Sequence, residues 1–361
     1  MLKNLKRSTL LAVIIVSALV LFFFSSTTRP GQNQQQPGQT SKYQDYEISG
    51  PYSYKNLDIF LVHGKDKIKT GKILTLEEAL EQKKAVVHET SNVDELVVEN
   101  TSDDTTVYIQ SGDIVKGGKQ DRVMRYDVMV PPKSKQMRVA SYCVESGRWS
   151  QRGNESHREF ASSKKMVASK KAKLAAKHKG SQQGMWSEVA DTQEKLNANL
   201  HTEVKSRQSE TSMQLTLENK KLKKEMAQYV KHLEKIIENR KDTLGFIFAL
   251  DGEINSADIY SSQTLFKKLW TKLLESCAVE AIAEYKKNST VKARPLTAVD
   301  VIKWLAEAEK GEKSKKDINA LVELSVRESE DNIAFETVDK STKSGEYRWI
   351  HKNYIKKSKK K

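Results

Sequence analysis

Between Leu57 and Val144, six short segments rich in Val, Ile, Thr and Tyr follow one another with no long helical stretch among them. This order of elements constrains the fold more than anything else in the chain. The segments are Leu57 to Val62, Ala85 to His88, Leu96 to Asn100, Thr106 to Gln110, Val123 to Val130 and Met137 to Val144. Parallel pairing needs crossovers of about a dozen residues or more, usually helical, so strands this closely spaced pair antiparallel. Pro131-Pro132 interrupts them, because neither residue can donate to a ladder. Thr75 to Gln82 predicts a short helix, with Thr75 as N-cap and Glu78 completing a capping box.

From Met185 to Arg240 the chain lacks Gly and Pro and reads as helical. Within it Leu222, Met226, Tyr229, Leu233 and Ile236 recur at the spacing of a packing seam, which predicts core packing ahead of a coiled coil between chains. Leu244 to Leu250, the turn Asp251-Gly252 and Glu253 to Ser256 predict a hairpin. Ser262 opens an amphipathic helix with Leu265, Phe266, Leu269, Trp270, Leu273 and Cys277 on one face. Helices are expected at Val299 to Glu309 and Ile318 to Glu328, then strands at Ile333 to Val338 and Tyr347 to Asn353. The fold class is α+β: an antiparallel sheet or small sandwich, then a long helical segment, a hairpin and a covering amphipathic helix.

At the start, Lys3, Lys6 and Arg7 precede the uncharged run Thr9 to Phe24. Together with Ser25 to Thr28 it is long enough to cross a bilayer. It reads as a signal anchor or a signal peptide, and the positive-inside rule then places the main domain outside the cytoplasm. The expected organisation is an anchor over 1–28, a Gln-, Gly- and Pro-rich flexible linker over 29–55, a main α+β domain over 56–290, a C-terminal α+β extension over 291–353 and a basic tail over 354–361.

Lys and Arg outnumber Asp and Glu by 62 to 47, a formal charge of +15. Much of the excess lies in Arg152 to Gly180 and in the lysine tail, and it reads as solvated surface. No aromatic residue interleaves Lys164 to Lys179, which disfavours nucleic acid as a partner. The two cysteines, Cys143 and Cys277, each sit in an apolar run and read as separately buried thiols, with pairing left open.

Two passages carry chemistry. Ser111 to Arg125 holds Gly117-Gly118 flanked by Lys116, Lys119, Gln120 and Arg122: either a plain turn, or a backbone-amide site for a phosphate or carboxylate. Ser141 to Trp149 ends in Glu145, Gly147, Arg148 and Trp149, either a ligand-holding cluster or an ion pair sealing a sheet edge. No phosphate-loop, dinucleotide, metal-ligand or nucleophile-elbow spacing occurs, so no metal site is expected, and the sequence leaves the cofactor unknown.

Gly117-Gly118-Lys119-Gln120-x-Arg122, Pro131-Pro132, Cys143-Val144-Glu145-x-Gly147-Arg148-Trp149, Gln183-Gly184-x-Trp186, Ser209-x-Thr211 and the run Gly252 to Ala281 occur in this order. Together they resemble the ARG- and rhodanese-phosphatase-superfamily-associated protein domain over roughly residues 96–285. That family is a domain of unknown function, linked by association to NAD and ADP-ribose metabolism. The resemblance implies that Gln120, Arg122, Glu145, Arg148 and Trp149 line a site, with Gln183, Trp186, Ser209 and Thr211 approaching from the helical half. Lys119 stands where Arg is commoner, a swap that keeps the charge and loses the planar fork. Three functions fit: an enzyme on a phosphate-bearing or glycosidic ligand with Glu145 as general acid or base, a binding module using the same cations, or an envelope structural protein that meets a partner through its helical hairpin.

Overall fold

Thr75 ends an extended segment with an oxygen free to cap a helix. In the computed structural model, which describes residues 41–68, 72–167, 169–286, 294–341 and 348–358, it accepts from the Glu78 amide while the Glu78 carboxylate accepts from the Thr75 amide. The capping box read from the sequence therefore starts the helix Leu76–Glu81.

Period-two alternation builds the next unit. In Glu95–Asn100 every second residue is buried, and Leu96 and Val98 join Val87, Val115, Val139 and Phe160 in one apolar core. Six strands close around that core as a barrel, in the order Ser134–Cys143, Glu95–Asn100, Ala85–His88, Glu159–Met166, Asp113–Gly117 and Arg122–Met124. The segment expected as one strand over Val123 to Val130 divides at Arg125 to Asp127. Val128–Val130 instead pairs with Thr106–Ile109, which also takes Ile73–Thr75 in parallel.

The largest sheet has nine antiparallel strands among the described residues. Its order is Ser41–Tyr43, Tyr46–Tyr54, Leu57–His63, Thr243–Leu250, Glu253–Tyr260, Arg348–Lys356, Asn332–Asp339, Val322–Glu328 and Glu312–Asp317. All eight residues of Thr243–Leu250 are buried, because helices cover both faces of the sheet there. Phe246 and Phe248 pack with Phe266, Leu269 and Trp270 of the helix Gln263–Ala283. Ile247 faces the other way, toward Val301, Trp304 and Leu305 of Ala298–Ala308. The seam Leu222, Met226, Tyr229, Leu233 and Ile236 is buried in the first of these cores, on the helix Lys220–Leu233 and the turn that follows it.

The mixed α+β class holds, and several finer expectations are corrected. The linker expected over 29–55 gives way to strands from Ser41, where alternating Tyr and Ile side chains find the sheet. Residues 29–40 lie outside the described residues. Ile318 to Glu328, expected as a helix, is a bend followed by the strand Val322–Glu328, whose Leu324 packs with Ile333 and Phe335. The segment Met185 to Arg240 is interrupted after Leu200 and resumes at Met213–Leu217. The apolar run Thr9 to Phe24 also lies outside the described residues. No helix among the described residues is long and apolar enough to cross a membrane. The membrane anchor, and the placement of the domain outside the cytoplasm that depended on it, are therefore unsupported and play no further part.

The basic segment Arg152 to Gly180, expected to be solvated, is built into the molecule. Glu159–Met166 is a barrel strand, and Lys170–Leu174 continues into a single π-helical stretch, Ala175–Lys179. Lys173 and Lys177, four residues apart, both turn inward. Lys177 Nζ lies 3.2 Å from Asp127 and Lys173 Nζ 3.8 Å from Asp258. His351 bridges the same two carboxylates, Nδ1 to Asp127 at 3.1 Å and Nε2 to Asp258 at 3.0 Å, with its ring stacked on Tyr260.

Burial disfavours the charged imidazole of His351, but Asp127 and Asp258 outweigh it and raise its pKa above the ordinary value. A raised pKa in the folded state gives stability that is complete below the unfolded value of about 6.5 and is lost as pH rises through the folded one. We therefore expect the melting temperature to fall as pH rises above about 6.5, and to fall less in His351→Asn. Parallel profiles for the two proteins would show that His351 carries no proton into the fold.

Candidate functional site

Register brings the two motifs together. Arg122–Met124 pairs with Ser134–Cys143 so that Arg122 stands opposite Cys143, and the chain before the first strand therefore runs beside the chain after the second. The Val144 amide continues the pairing by donating to the Asp121 carbonyl at 3.0 Å.

Gly117 and Gly118 make the turn that precedes Asp121, with φ of +119° and +53°. A Cβ at Gly118 would lie 2.2 Å from the ring of Phe160 and 2.7 Å from Glu89 Oε2, so only glycine fits. Of the two readings open for this passage, a plain turn or a backbone-amide site, the amides favour the turn. The amides of Gly117, Gly118 and Lys119 already donate to Asp121 Oδ1, the Ser156 carbonyl and Glu89 Oε2. It is the carbonyls that converge, since Gly117 and Gly118 each accept from Arg148 at 3.2 Å.

Glu145 is the centre of the arrangement and is fully buried. Its Oε1 accepts from Arg148 Nε at 2.8 Å, and its Oε2 from Arg148 Nη2 at 2.8 Å and from the Asp121 amide at 3.2 Å. Asp121, also fully buried, holds Arg152 through both oxygens at 2.7 and 2.9 Å and accepts from Ser212 Oγ at 3.0 Å. Arg152 reaches on to Glu155. Arg122, with no exposed surface, donates to Glu89, to the Val93 carbonyl and to Cys143 Sγ. Four carboxylates (Glu89, Asp121, Glu145, Glu155) thus meet three guanidiniums (Arg122, Arg148, Arg152). Each guanidinium is matched by a carboxylate, with one formal negative charge left over.

The two central carboxyl groups respond differently. Burial pushes both up, but for Glu145 the hydrogen bonds from Arg148 and Ser209 prevail and hold it below the usual carboxylate range. For Asp121 burial prevails over Arg152 and leaves it raised. Burial also pushes the Cys143 thiol up to about 11, which removes it as a thiolate nucleophile near neutral pH. Cys277 is likewise buried, and both cysteines are free.

The helical half closes over the strand end. Trp186 Nε1 donates to the Glu145 carbonyl at 3.1 Å, and Thr211 Oγ1 both accepts from the Ser146 amide and donates to its carbonyl. Ser209 reaches the Glu145 carboxylate. Gln183 does not take part: it is exposed, and its neighbour Gln182 pairs with the backbone of Cys143 through both ends of its amide, each at 2.8 Å. One residue of helical rotation, about 100°, separates the two positions. Gln120 is buried, whereas Trp149 stays 47 % exposed, with Lys119 Nζ 5.1 Å from its ring centre. Lys119 Nζ bonds only to Ser91 Oγ among the described residues.

Glu89, Asp121, Arg152, Gln182 and Ser212 complete the cluster and were not singled out from the sequence. Asp121 was the legible one, a carboxylate wedged between two residues already marked. Among the described residues no three His, Cys, Asp or Glu side chains are grouped as a metal centre requires.

Fold and site together define a mixed α+β protein in which helical segments lock one end of a β-barrel through a buried ion network. The chain belongs to the ARG and Rhodanese-Phosphatase-superfamily-associated Protein domain family, whose model matches residues 45–355. That family is of unknown function. No curated protein and no solved structure matches the chain.

Proposed function

We propose that the chain is a binding protein for a planar, phosphate-bearing small molecule, which stacks on Trp149 and gives its phosphate to Lys119, and that Glu145 performs no acid–base step. One observation carries the reading. Among the motif's cations Lys116, Arg122, Arg148 and Arg152 each pair with a carboxylate, while Lys119 pairs with none among the described residues and lies against the one exposed tryptophan of the motif. A general acid must be protonated near neutral pH, yet Glu145 is held ionised by a bidentate guanidinium and is closed to solvent.

Stacking of a base on an aromatic side chain is worth roughly 1–3 kcal/mol. Titration of the folded protein with AMP and ADP, followed by thermal shift and calorimetry, should show saturable binding. Trp149→Ala should weaken that binding by about tenfold to a hundredfold, in line with the loss of one stacking contact. Lys119→Ala should weaken nucleotide binding more than adenosine binding. Nucleotide affinity unchanged in both variants, or no binding at millimolar ligand, would refute the reading.

A further inference from the structure

A second site lies away from the motif cluster. A cleft of about 1240 Å³ opens between the hairpin turn at Asp251 to Asn255, the last turns of the helix Gln263–Ala283, the start of Lys170–Leu174 and the end of Arg348–Lys356. That is at or above the usual range of small-ligand pockets, about 300–1,000 Å³. Two polar side chains that line it are almost completely buried and only half satisfied. Glu280, 3 % exposed, accepts at Oε1 from the Lys170 amide and from Asn255 Nδ2, but its Oε2 has no partner. Asn255, 5 % exposed, spends its amide on Glu280 and leaves Oδ1 without a partner. Buried acceptors without donors are costly, and native proteins rarely keep two side by side without use.

The cleft carries charges of both signs. Lys195 is neutralised by Asp191 and Glu284. Lys170, Lys286 and Lys356, which also line it, form no ion pair among the described residues. The hairpin turn adds Asp251 and Glu253, also without an ion pair among the described residues. The cleft therefore offers both hydrogen-bond acceptors in need of donors and ammonium groups in need of an anion. Burial lowers the Lys170 pKa, so an anion beside it would restore what desolvation takes away.

We infer that this cleft binds a small sugar phosphate, its hydroxyl groups donating to Asn255, Glu280 and the turn carboxylates and its phosphate held by Lys170 and Lys356. The site is separate from Trp149 and does not depend on the reading proposed for that surface. A free phosphate shares only half of this chemistry, and a polyamine shares the other half.

The test uses the full chain and calorimetric titration with glucose 6-phosphate, ribose 5-phosphate, inorganic phosphate, glucose and spermidine. Expected is saturable binding of one or both sugar phosphates, at least tenfold tighter than inorganic phosphate or glucose. Lys356→Ala and Lys170→Ala should each weaken it by tenfold or more, Asn255→Asp should change it further, and Trp149→Ala should leave it unchanged. Lys356 stands at a strand end, so its variant keeps the test valid if Lys170→Ala fails to fold. Equal binding of inorganic phosphate, preference for spermidine, no binding of any sugar phosphate, or binding that survives both lysine variants would each overturn the inference. Loss of sugar phosphate binding in Trp149→Ala would move it to the other surface and overturn it too.

Discussion

Replacing Asp127 by Asn is expected to destabilise the protein by about 3–5 kcal/mol, the range for breaking a buried ion pair from one side. The Asp127 side chain has no exposed surface, and both its oxygens are in use. Oδ1 accepts from the Ser111 amide at 2.9 Å and from Tyr108 Oη at 3.2 Å, while Oδ2 accepts from Thr337, His351 and Lys177. These partners come from the barrel region, the π-helical stretch and two strands of the large sheet, so one carboxylate ties three parts of the chain together. Asparagine keeps the shape but replaces one acceptor with an amide that faces donors. His351 retains Asp258, whereas Lys177 has no other carboxylate within ion-pair distance among the described residues. Total stabilities of about 5–15 kcal/mol make such a loss a large fraction of the whole. Urea unfolding monitored by tryptophan fluorescence measures it. Adding Lys177→Met to Asp127→Asn should recover part of the loss, because the stranded ammonium is then gone. A single-variant cost under about 1 kcal/mol would mean that water or a shifted side chain already shares the load.

That network also marks where the sequence stopped being readable. Local signals were legible: the capping box at Thr75, the turn at Asp251-Gly252, the seam from Leu222 to Ile236 and the covering helix after Ser262 each rest on neighbours within one or two turns of chain. The inward lysines were not. A segment reading Lys164 to Lys179 looks like solvated surface because nothing local shows that Asp127, some fifty residues earlier, and Asp258, some eighty later, wait for Lys177 and Lys173. Val322–Glu328 was misjudged for a similar reason. Its residues suit either a helix or a strand, and the choice falls to pairing with Asn332–Asp339 and with the wholly exposed Glu312–Asp317. In the candidate site, the residues that converge were mostly named, but their partners were not. Sequence supplied Arg122, Glu145 and Arg148, and the register Arg122 to Cys143 brought Asp121 and Arg152 against them. The sequence alone left the turn at Gly117-Gly118 and the Glu145 to Arg148 pair open between architecture and ligand site, because the carboxylates that face these cations, Glu89, Asp121 and Glu155, carry no local mark.

The sharpest separation between a catalytic and an architectural Glu145 comes from stability measured without any substrate. If Glu145 were a general acid or base, Glu145→Gln would abolish turnover and leave the fold nearly as stable. As the keystone of a buried network, the same change removes the charge that faces Arg148 at 2.8 Å on two nitrogens and turns an amide donor toward the guanidinium. Arg152 keeps Asp121 and Glu155 but loses its third carboxylate, at 3.6 Å, and the hydrogen bond from Ser209 weakens. We expect a loss of roughly 3 kcal/mol or more by urea unfolding, in the range for a buried pair broken from one side. The acid limb adds an independent sign. Glu145 is depressed in the folded state, so its contribution is present above the unfolded value of about 4.3 and disappears as pH falls through the folded one. In Glu145→Gln that part of the acid destabilisation should be missing. The double variant Glu145→Gln with Arg148→Met should be more stable than the sum of its singles, since the guanidinium is no longer left unneutralised. A Glu145→Gln protein as stable as the parent, with an unchanged acid limb, would return Glu145 to the list of groups free to move a proton.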